Sequence, residues 1–379
     1  MAEQMDIQYQ PESIAHPGDT VLDYLEWNGW SQRDLARRTG LTPKTISEIC
    51  NGKGPITPPT ALAFENVFCR PAHLWLNLQR QYDEAEARRR VSAKLPHWES
   101  WARRFPFHEM IERKLIEPRE GHRVDALLKF FGVSSPESWE SVWQATNVAY
   151  RQTRKFDTTP EAISAWTRAA ELQAAEIETQ DFDEKGLRNL LNDLRHFTRQ
   201  DIRQAGPRIE SLCARAGVAV VWVPELTHTG ISGSARWLTE RKAMIALTLR
   251  YKADDQIWFT FFHEVAHILL HRKRHSFILD NAEKDLSDST VDPQMQREEE
   301  EASRFAADTL IPPDELVQFI RDATFTTEAI CRFADALTIA PGIVVGRLQR
   351  EGVLRRSQGN ALKRIYDWNF GADQTSEPQ

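Results

Sequence analysis

Cysteine is scarce in this chain of 379 residues, and its four copies lie far apart along the sequence. They are Cys50, Cys69, Cys213 and Cys331. This spacing excludes both a disulfide-dense scaffold and a Cys-x-x-Cys metal site. We expect all four to be buried as small apolar side chains.

Long apolar runs are missing as well. The strongest run, at 218–223, has only the length of a β-strand, so no segment is long enough to span a bilayer. The N-terminal stretch MAEQMDIQYQ is polar and lacks the basic region followed by an apolar region that marks a secretory signal. We therefore expect a cytoplasmic protein that does not associate with a membrane.

The chain also has no excess of positive charge, and its formal net charge is -7. This value argues against non-specific coating of nucleic acid. Positive charge is nevertheless concentrated between positions 31 and 53, where five basic and two acidic residues give a local balance of +3. The basic residues are Arg33, Arg37, Arg38, Lys44 and Lys53, and the acidic ones are Asp34 and Glu48.

Periodicity and punctuation predict a mainly α-helical protein with a small β-sheet, of the α+β class. The chain divides into several segments along its length. They are a flexible arm at 1–15, short punctuated helices at 16–82, a charged helical linker at 83–94, a Trp-rich helical middle domain at 95–205, a domain at 206–313 with strands at 218–223 and 244–249, and a helical region at 314–379.

Two short helices joined by a tight turn are predicted near the N-terminus. Ser31 and Asp34 have the spacing of a capping box, so a helix begins there, and Gly40 can end it in the left-handed conformation. Thr42 and Pro43 then start the next helix. A short, glycine-containing turn between two helices is typical of a DNA-binding helix-turn-helix.

The start of the second helix carries the side chains that a DNA reader needs, because these positions reach base edges in the major groove. The outward-facing residues there are Pro43, Lys44, Thr45, Ser47 and Glu48, and the residues that can form the small core are Leu35, Ala36, Ile46 and Ile49. A plain helical bundle is the alternative interpretation.

The whole of 16–82 resembles the Cro/C1-type domain of HigA-type antitoxins, through the stretches HPGDTVLDYL, SQRDLARRTGLTPKTISEICNGKGPIT and HLWLNLQRQYD. The resemblance implies a five-helix domain that binds operator DNA as a homodimer, often for autorepression, and it makes a cognate toxin a candidate partner. It places Lys44, Thr45 and Glu48 at base-reading positions. The residues better placed to contact phosphates are Arg33, Lys53 and Thr57.

The most specific motif is HEVAH at 263–267, within a strongly apolar stretch. A helix turns by about 100° per residue, so His263 and His267 lie on one face and can bind one Zn²⁺ through their imidazoles. Glu264 lies beside the open coordination position, where it can take a proton from the attacking water and later give it to the leaving amine. A pair of ordinary core histidines is the alternative.

A catalytic zinc needs a third protein ligand, and the helix predicted at 296–310 is its best source. The apolar stripe of that helix is formed by Ala302, Ala306 and Leu310. Extending the stripe backwards reaches Glu299, and Glu298 lies nearly as close, so the helix phase leaves both as candidates. His271 lacks the spacing of an extended zinc motif, and we expect it in the core or beside a ligand.

The segment 206–313 resembles the ImmA/IrrE family of zinc metallopeptidases, through FFHEVAHILLH and EEEASRFAADTLIP. The resemblance matches Glu299 to the family's ligand glutamate. Family members that act do so by cleaving a repressor, or by provoking its cleavage, under stress. This chain departs from the family because the DNA-binding domain is on the same polypeptide. Its peptidase-like domain could cut a partner protein, cut its own chain, or only sense a signal.

Two further patterns flank this motif. The strand at 244–249 is expected at a sheet edge, where an extended substrate pairs with it. Arg250 and Tyr251, at its end, are candidates for oxyanion support or for a structural role. A second helix-turn-helix pattern at 327–349 begins its second helix with apolar residues, so we expect it to pack against the peptidase-like core instead of reading DNA.

These patterns favour a DNA-binding transcriptional regulator, repressor-like or antitoxin-like, with a zinc peptidase-like effector or sensor domain. Two alternatives stay open. The chain could be a metallopeptidase whose helix-turn-helix only docks a protein partner, or a DNA-binding protein whose metal site is structural or silent. Glu264 favours activity, because a closed structural site has no use for an acid beside an open coordination position.

Overall fold

The computed structural model describes residues 15–117, 123–151, 158–248, 252–271, 278–280, 293–322 and 325–366. The chain forms two compact units, unit 1 at 1–98 and unit 2 at 99–379. Apart from Ala15, the predicted arm at 1–15 lies outside the described residues.

Unit 1 contains the five helices that the resemblance to the Cro/C1-type domain implied. They are α1 (Pro17–Asn28), α2 (Gln32–Thr39), α3 (Pro43–Cys50), α4 (Pro58–Phe68) and α5 (Ala72–Ser92). Their inward faces share one core, which contains the fully buried side chains of Val21, Leu35, Ile46, Phe64 and Trp75. The charged segment predicted as a linker continues α5, where Glu84 pairs with Arg88 one turn later.

Local hydrogen bonds set the boundaries of the predicted turn. The Ser31 hydroxyl accepts from the Asp34 amide at 3.2 Å, and the Asp34 carboxylate accepts from the Ser31 amide at 3.0 Å. Gly40 ends α2 in the left-handed conformation, with φ 70°. Thr42 caps α3 by accepting from the Thr45 amide at 3.1 Å. The predicted caps of both helices are therefore confirmed.

Unit 2 is built from twelve helices and a small sheet within the described residues. The helices before the sheet are α6 (Glu99–Ala102), α7 (Phe107–Glu112), α8 (Arg123–Phe131), α9 (Pro136–Arg151), α10 (Pro160–Glu176), α11 (Glu184–His196) and α12 (Ile202–Arg215). The strands are β1 (Val218–Trp222), β2 (Gly233–Thr239), β3 (Lys242–Leu247) and β4 (Ile278–Asp280). The remaining helices are α13 (Asp254–Leu270), α14 (Pro293–Leu310), α15 (Pro313–Asp322), α16 (Thr327–Leu337) and α17 (Pro341–Arg350). Together with unit 1, these elements confirm the mainly helical α+β class.

The sheet has the strand order β1-β3-β2-β4, with β1 parallel to β3 and β2 antiparallel to both β3 and β4. The expectation that 244–249 is an edge strand is therefore wrong, because β3 lies between β1 and β2. The residues 243–247 are all buried, as is typical of a strand covered on both faces. The strand β2 was not predicted from the sequence, and it starts inside the glycine-containing stretch GISGS at 230–234.

A core that begins in α11 draws on all three predicted segments of unit 2. Its buried members include Leu187 from α11, Ile245 from β3, Phe262 from α13 and Val344 from α17. The finer division at 95–205, 206–313 and 314–379 remains a prediction. This shared core encloses α13, the helix that carries the HEVAH motif.

The C-terminal helix pair packs into this core, as predicted. Its buried residues include Ile330 and Ala334 from α16 and Ile343, Val345 and Leu348 from α17. Over the described ranges, no single helix is long and apolar enough to cross a membrane, and α16 with α17 meets that criterion only as a pair bent by 110°.

The cysteines differ partly from their expected burial. Cys50 and Cys213 are buried, and burial raises the pKa of the Cys213 thiol to about 12. Cys331 is half-buried and Cys69 is exposed. Cys69 is exposed because it follows the last turn of α4 in the left-handed conformation, with φ 53°, instead of lying on an inward helix face.

Candidate metal centre and nucleic-acid interface

The HEVAH motif lies in the second half of α13, which is buried along nearly its whole length. His263 and His267 are 1% and 3% exposed, and Glu264 between them is fully buried. One helical turn separates the two histidines, and their Nε2 atoms are 2.9 Å apart. The predicted convergence of the imidazoles is therefore present in the structure.

The third side chain at this point comes from α14. The Glu299 carboxylate oxygens lie 3.4 Å from His263 Nε2 and 3.7 Å from His267 Nε2, and Glu299 is 6% exposed. Glu298 is half-buried and contacts the side chain of Gln294 at 3.1 Å. The structure thus brings Glu299 to the histidines, and the extrapolated stripe of α14 explains why.

These three side chains fit a divalent metal of the zinc type. Their ligand atoms all lie within 4.8 Å of one another, and all three residues are buried. A tetrahedral zinc with bonds of about 2.1 Å separates its ligand atoms by about 3.4 Å, close to the distances between Glu299 and the histidines. Two imidazoles and one carboxylate also match the ligand set of catalytic zinc sites, which leave one position open. Metal binding by these residues remains a prediction.

A second layer of polar contacts surrounds the histidines. The Ser303 hydroxyl lies 3.4 Å from His263 Nδ1, and His271 Nδ1 lies 3.0 Å from His267 Nδ1. The Glu301 carboxylate lies 3.2 Å from His271 Nε2. Sequence reasoning missed Ser303 and Glu301. Ser303 had a signal, since it follows Glu299 by one helical turn.

Glu264 lies against the first residue of β2. A Cβ atom added at Gly233 would lie 3.0 Å from Glu264 Oε1 and 2.5 Å from Thr260 Cγ2. Only glycine permits this approach of the strand to the helix, because any side chain would displace one of them. Sequence reasoning missed this contact. The candidates Arg250 and Tyr251 lie outside the described residues.

The predicted DNA-reading residues lie at the surface of unit 1. Lys44 is 85% exposed and forms an ion pair of 3.8 Å with Glu48. Arg33, Pro43 and Lys53 are exposed, and Thr45 and Ser47 are half-buried. All seven residues are therefore accessible, and five of them lie on α3. Their contacts with DNA remain predictions.

Hydrogen bonds from Ser31 lower the pKa of the Asp34 carboxyl, which keeps the N-terminal cap of α2 charged. The guanidinium of Arg38 lies 3.9 Å from the centroid of the Trp30 ring. These contacts hold the first helix of the predicted motif and one of its basic residues in place.

Two family models match separate parts of the chain. Residues 21–68 match the helix-turn-helix family, and residues 221–334 match the IrrE N-terminal-like domain family. The first match lies within unit 1, and the second spans β1 to α16 of unit 2 and includes the three candidate metal ligands.

Two similar proteins match stretches of 75 and 69 residues of this chain. The chain is 35% identical over 75 residues to an uncharacterized HTH-type transcriptional regulator, YddM, of Escherichia coli K12. The aligned residues make up 20% of this chain and 80% of that protein. It is 38% identical over 69 residues to virulence-associated protein I of Dichelobacter nodosus, covering 18% of this chain and 64% of that protein.

Among solved structures, an addiction module antidote protein of the HigA family from Coxiella burnetii is 29% identical, with a TM-score of 0.21, over 22% of this chain and 92% of its own. A putative antidote protein of a plasmid maintenance system from Nostoc punctiforme is 28% identical, with a TM-score of 0.22, over 22% and 91%.

The helix-turn-helix match and the alignment with most of a regulator's length agree with the five-helix fold of unit 1. The second family match agrees with the buried His-Glu-His geometry of α13 and α14. The chain therefore belongs to the helix-turn-helix family of transcriptional regulators and carries an IrrE N-terminal-like, metallopeptidase-like domain on the same polypeptide.

Proposed function

We propose that this protein is a transcriptional repressor that uses a zinc-dependent peptidase in unit 2 to respond to stress. The observation that carries the proposal is the buried group of His263, His267 and Glu299, with Glu264 beside it, on a chain that also bears a DNA-binding fold. Burying two histidines and two glutamates between α13 and α14 is costly unless their polar atoms are paired, for example with a bound cation. A bound metal cation removes that cost.

The proposed DNA contacts use α3 of a homodimer. The first turn of α3 would enter the major groove, with Lys44, Thr45 and Glu48 near base edges. Arg33 and Lys53 would contact phosphates and supply affinity that does not depend on sequence. We place the protein in the cytoplasm because its operator would be there.

The proposed chemistry is hydrolysis of a peptide bond. His263, His267 and Glu299 would hold the zinc ion, which supplies Lewis acidity toward a carbonyl group and toward a water molecule. Glu264 would accept the proton of the attacking water and give it to the leaving amine. Gly233 leaves room for the Glu264 carboxylate on one side, because a Cβ atom there would lie 3.0 Å from Glu264 Oε1. The substrate would be a protein, either a partner or the chain itself, and a cognate toxin is a candidate partner.

Glu264→Gln tests this function, because it keeps the size of the side chain and removes the base. We expect the variant to retain zinc and operator binding, since the ligands and α3 are unchanged. Stress-induced proteolysis, followed by immunoblot, should stop. Derepression of a reporter on the chain's own promoter should stop with it.

His263→Ala is the comparison that separates catalysis from sensing. It removes a metal ligand as well as activity. If Glu264→Gln derepresses the reporter normally while His263→Ala does not, the metal serves structure or sensing and hydrolysis is not the signal.

A further inference from the structure

A line of polar contacts runs from the candidate metal centre to the surface of unit 2. It starts at His267, whose Nδ1 atom lies 3.0 Å from Nδ1 of His271. His271 Nε2 lies 3.2 Å from a carboxylate oxygen of Glu301 on α14. The side chain of His271 is 7% exposed, whereas that of Glu301 is 62% exposed.

The position of His271 follows from the end of α13. It is the residue after the last helical turn, and its amide donates to the carbonyl of His267 at 3.0 Å. Because it follows His267 by four residues, its ring lies beneath the ring of His267 on the same face. The two ring centroids are 5.2 Å apart.

The contacts permit only one arrangement of protons if His267 is a metal ligand. Its Nε2 atom then carries no proton, so the neutral ring carries its proton on Nδ1. That proton is donated to His271 Nδ1, which must therefore be an acceptor. The proton of His271 is then on Nε2, from which it is donated to the Glu301 carboxylate. Every donor in the line meets an acceptor.

We propose that His271 and Glu301 are positioning residues that hold His267 in the tautomer that binds metal. The inference rests on the metal centre of the proposed function. A ligand histidine whose second nitrogen donates to a fixed acceptor is oriented toward the metal and is a stronger base. The Ser303 hydroxyl, 3.4 Å from His263 Nδ1, lies in the corresponding place for the other histidine.

His271 does not take the place of a metal ligand in this arrangement. Within the described part of the chain, the group that could hold a metal consists of His263, His267 and Glu299. His271 faces the Nδ1 side of His267, away from the Nε2 atom that meets the other ligands. Its second nitrogen faces Glu301 at the surface.

The test measures the zinc affinity of full-length variants by competition with a chelator. Glu301→Gln keeps the fold, because the side chain is exposed, but removes the charged acceptor. We expect His271→Leu to lower zinc affinity by about 10- to 100-fold, and Glu301→Gln, which keeps only a neutral acceptor, to lower it by less. Glu300→Gln is the matched control, since Glu300 is the adjacent exposed glutamate of α14 and contacts Gln296. The zinc affinity of Glu300→Gln should equal that of the wild type.

Conservative replacement and spectroscopy separate positioning from a packing effect. His271→Gln retains both an acceptor and a donor, so it should recover part of the affinity that His271→Leu loses. In the metal-free protein, nitrogen NMR of the histidine rings should show His267 protonated at Nδ1 in the wild type. In His271→Leu, the ring-nitrogen signals of His267 should indicate a mixture of the Nδ1 and Nε2 tautomers.

The outcomes distinguish this inference from the proposed function. Zinc uptake by the wild type with loss in Glu299→Ala establishes the metal centre independently. If Glu301→Gln and His271→Leu then match Glu300→Gln, and the His267 tautomer is unchanged, the positioning role is refuted. If the wild type binds no zinc, the metal centre itself fails, and the positioning role falls with it whatever the tautomer signals show.

Discussion

Asp254, the first residue of α13, is a fully buried carboxyl group. It lies where α13 meets α17, and a Cβ atom at Gly342 would collide with its carboxylate. Its Oδ1 atom accepts from the Asp255 amide at 2.8 Å. Desolvation by burial raises its pKa from 3.8 to about 6. Asp254 therefore opposes the stability of unit 2 at neutral pH instead of adding to it.

We predict that Asp254→Asn stabilises the protein at pH 7. The pKa of this carboxyl is higher in the folded chain than in the unfolded chain, so the folded state binds the proton more tightly. The free energy of unfolding that the protonated Asp254 contributes is fully present below pH 3.8 and is lost as the pH rises through about 6. Asparagine resembles the protonated acid and is not titrated. The expected gain at pH 7 is on the order of 3 kcal/mol.

Urea unfolding between pH 4 and pH 7.5 would measure this effect. The wild type should lose stability across the window relative to Asp254→Asn, and the two should be similar at pH 4. Asp125→Asn, in an exposed ion pair with Lys129, is the control and should follow the wild type. Parallel curves for Asp254→Asn and the wild type would contradict the prediction.

Helix phase explains which site residues could be predicted from the sequence. Two histidines one turn apart must share a helix face, so their positions followed from periodicity. The stripe of α14 reached Glu299 but left Glu298 open, and the family resemblance favoured Glu299. Glu301 could not be found in this way. It meets His271 only because two helices cross at this point, and a sequence pattern on one helix does not contain that contact. Gly233 was missed for the same reason.

The predicted DNA-reading residues of α3 include an ion pair that costs little free energy to break. Lys44 and Glu48 are 85% and 46% exposed, and their ion pair is 3.8 Å long. Exposed pairs of this kind contribute about 0–1 kcal/mol, so either side chain can leave the other for a DNA partner. The buried face, with Ile46 and Ile49, fixes the helix in unit 1.

We predict different effects from two lysines of this region. Lys44→Ala should change the preferred sequence, because Lys44 is one of the residues predicted to reach base edges. Lys53→Ala should weaken binding to all sequences similarly and lower the salt slope by about one. Selection from random DNA, followed by titration at several salt concentrations, measures both. Lys185→Ala, an exposed lysine of α11, is the control. Equal effects of Lys44→Ala and Lys53→Ala on every sequence would rule out base reading by Lys44.

In the sheet, the position of a strand along the chain could be predicted from the sequence, but its neighbours could not. The first strand was predicted nearly to its ends, since an apolar run bounded by polar residues indicates a strand. The place of β3 within the sheet was not, because pairing with β1 is parallel and joins distant parts of the chain. A buried central strand and a buried edge strand have the same local pattern. Only the pairing of β3 with β1 on one side and with β2 on the other distinguishes them.

The whole molecule combines two units whose sequences were informative to different degrees. Unit 1 consists of short helices, and capping residues that can be recognised in the sequence mark the ends of α2 and α3. Its five helices were therefore predicted from these residues and from the family resemblance. Unit 2 draws one core from residues as distant as Leu187 and Leu348. Such a core is specified by contacts between distant segments, and composition along the chain suggested separate domains there.

Operator binding is the prediction that involves the complete protein. We expect full-length chains to bind a paired site near their own promoter as a dimer, with half-site centres about one helical turn apart, because two copies of α3 must reach the major groove on one side of the duplex. Inserting about half a turn of DNA, roughly 5 base pairs, between the half-sites should abolish cooperative binding. Inserting a full turn should restore part of it, since the half-sites return to one side. Footprinting on the three operators measures the result. Binding that is indifferent to the insertion, or no sequence preference at all, would favour a chain whose helix-turn-helix docks a protein partner.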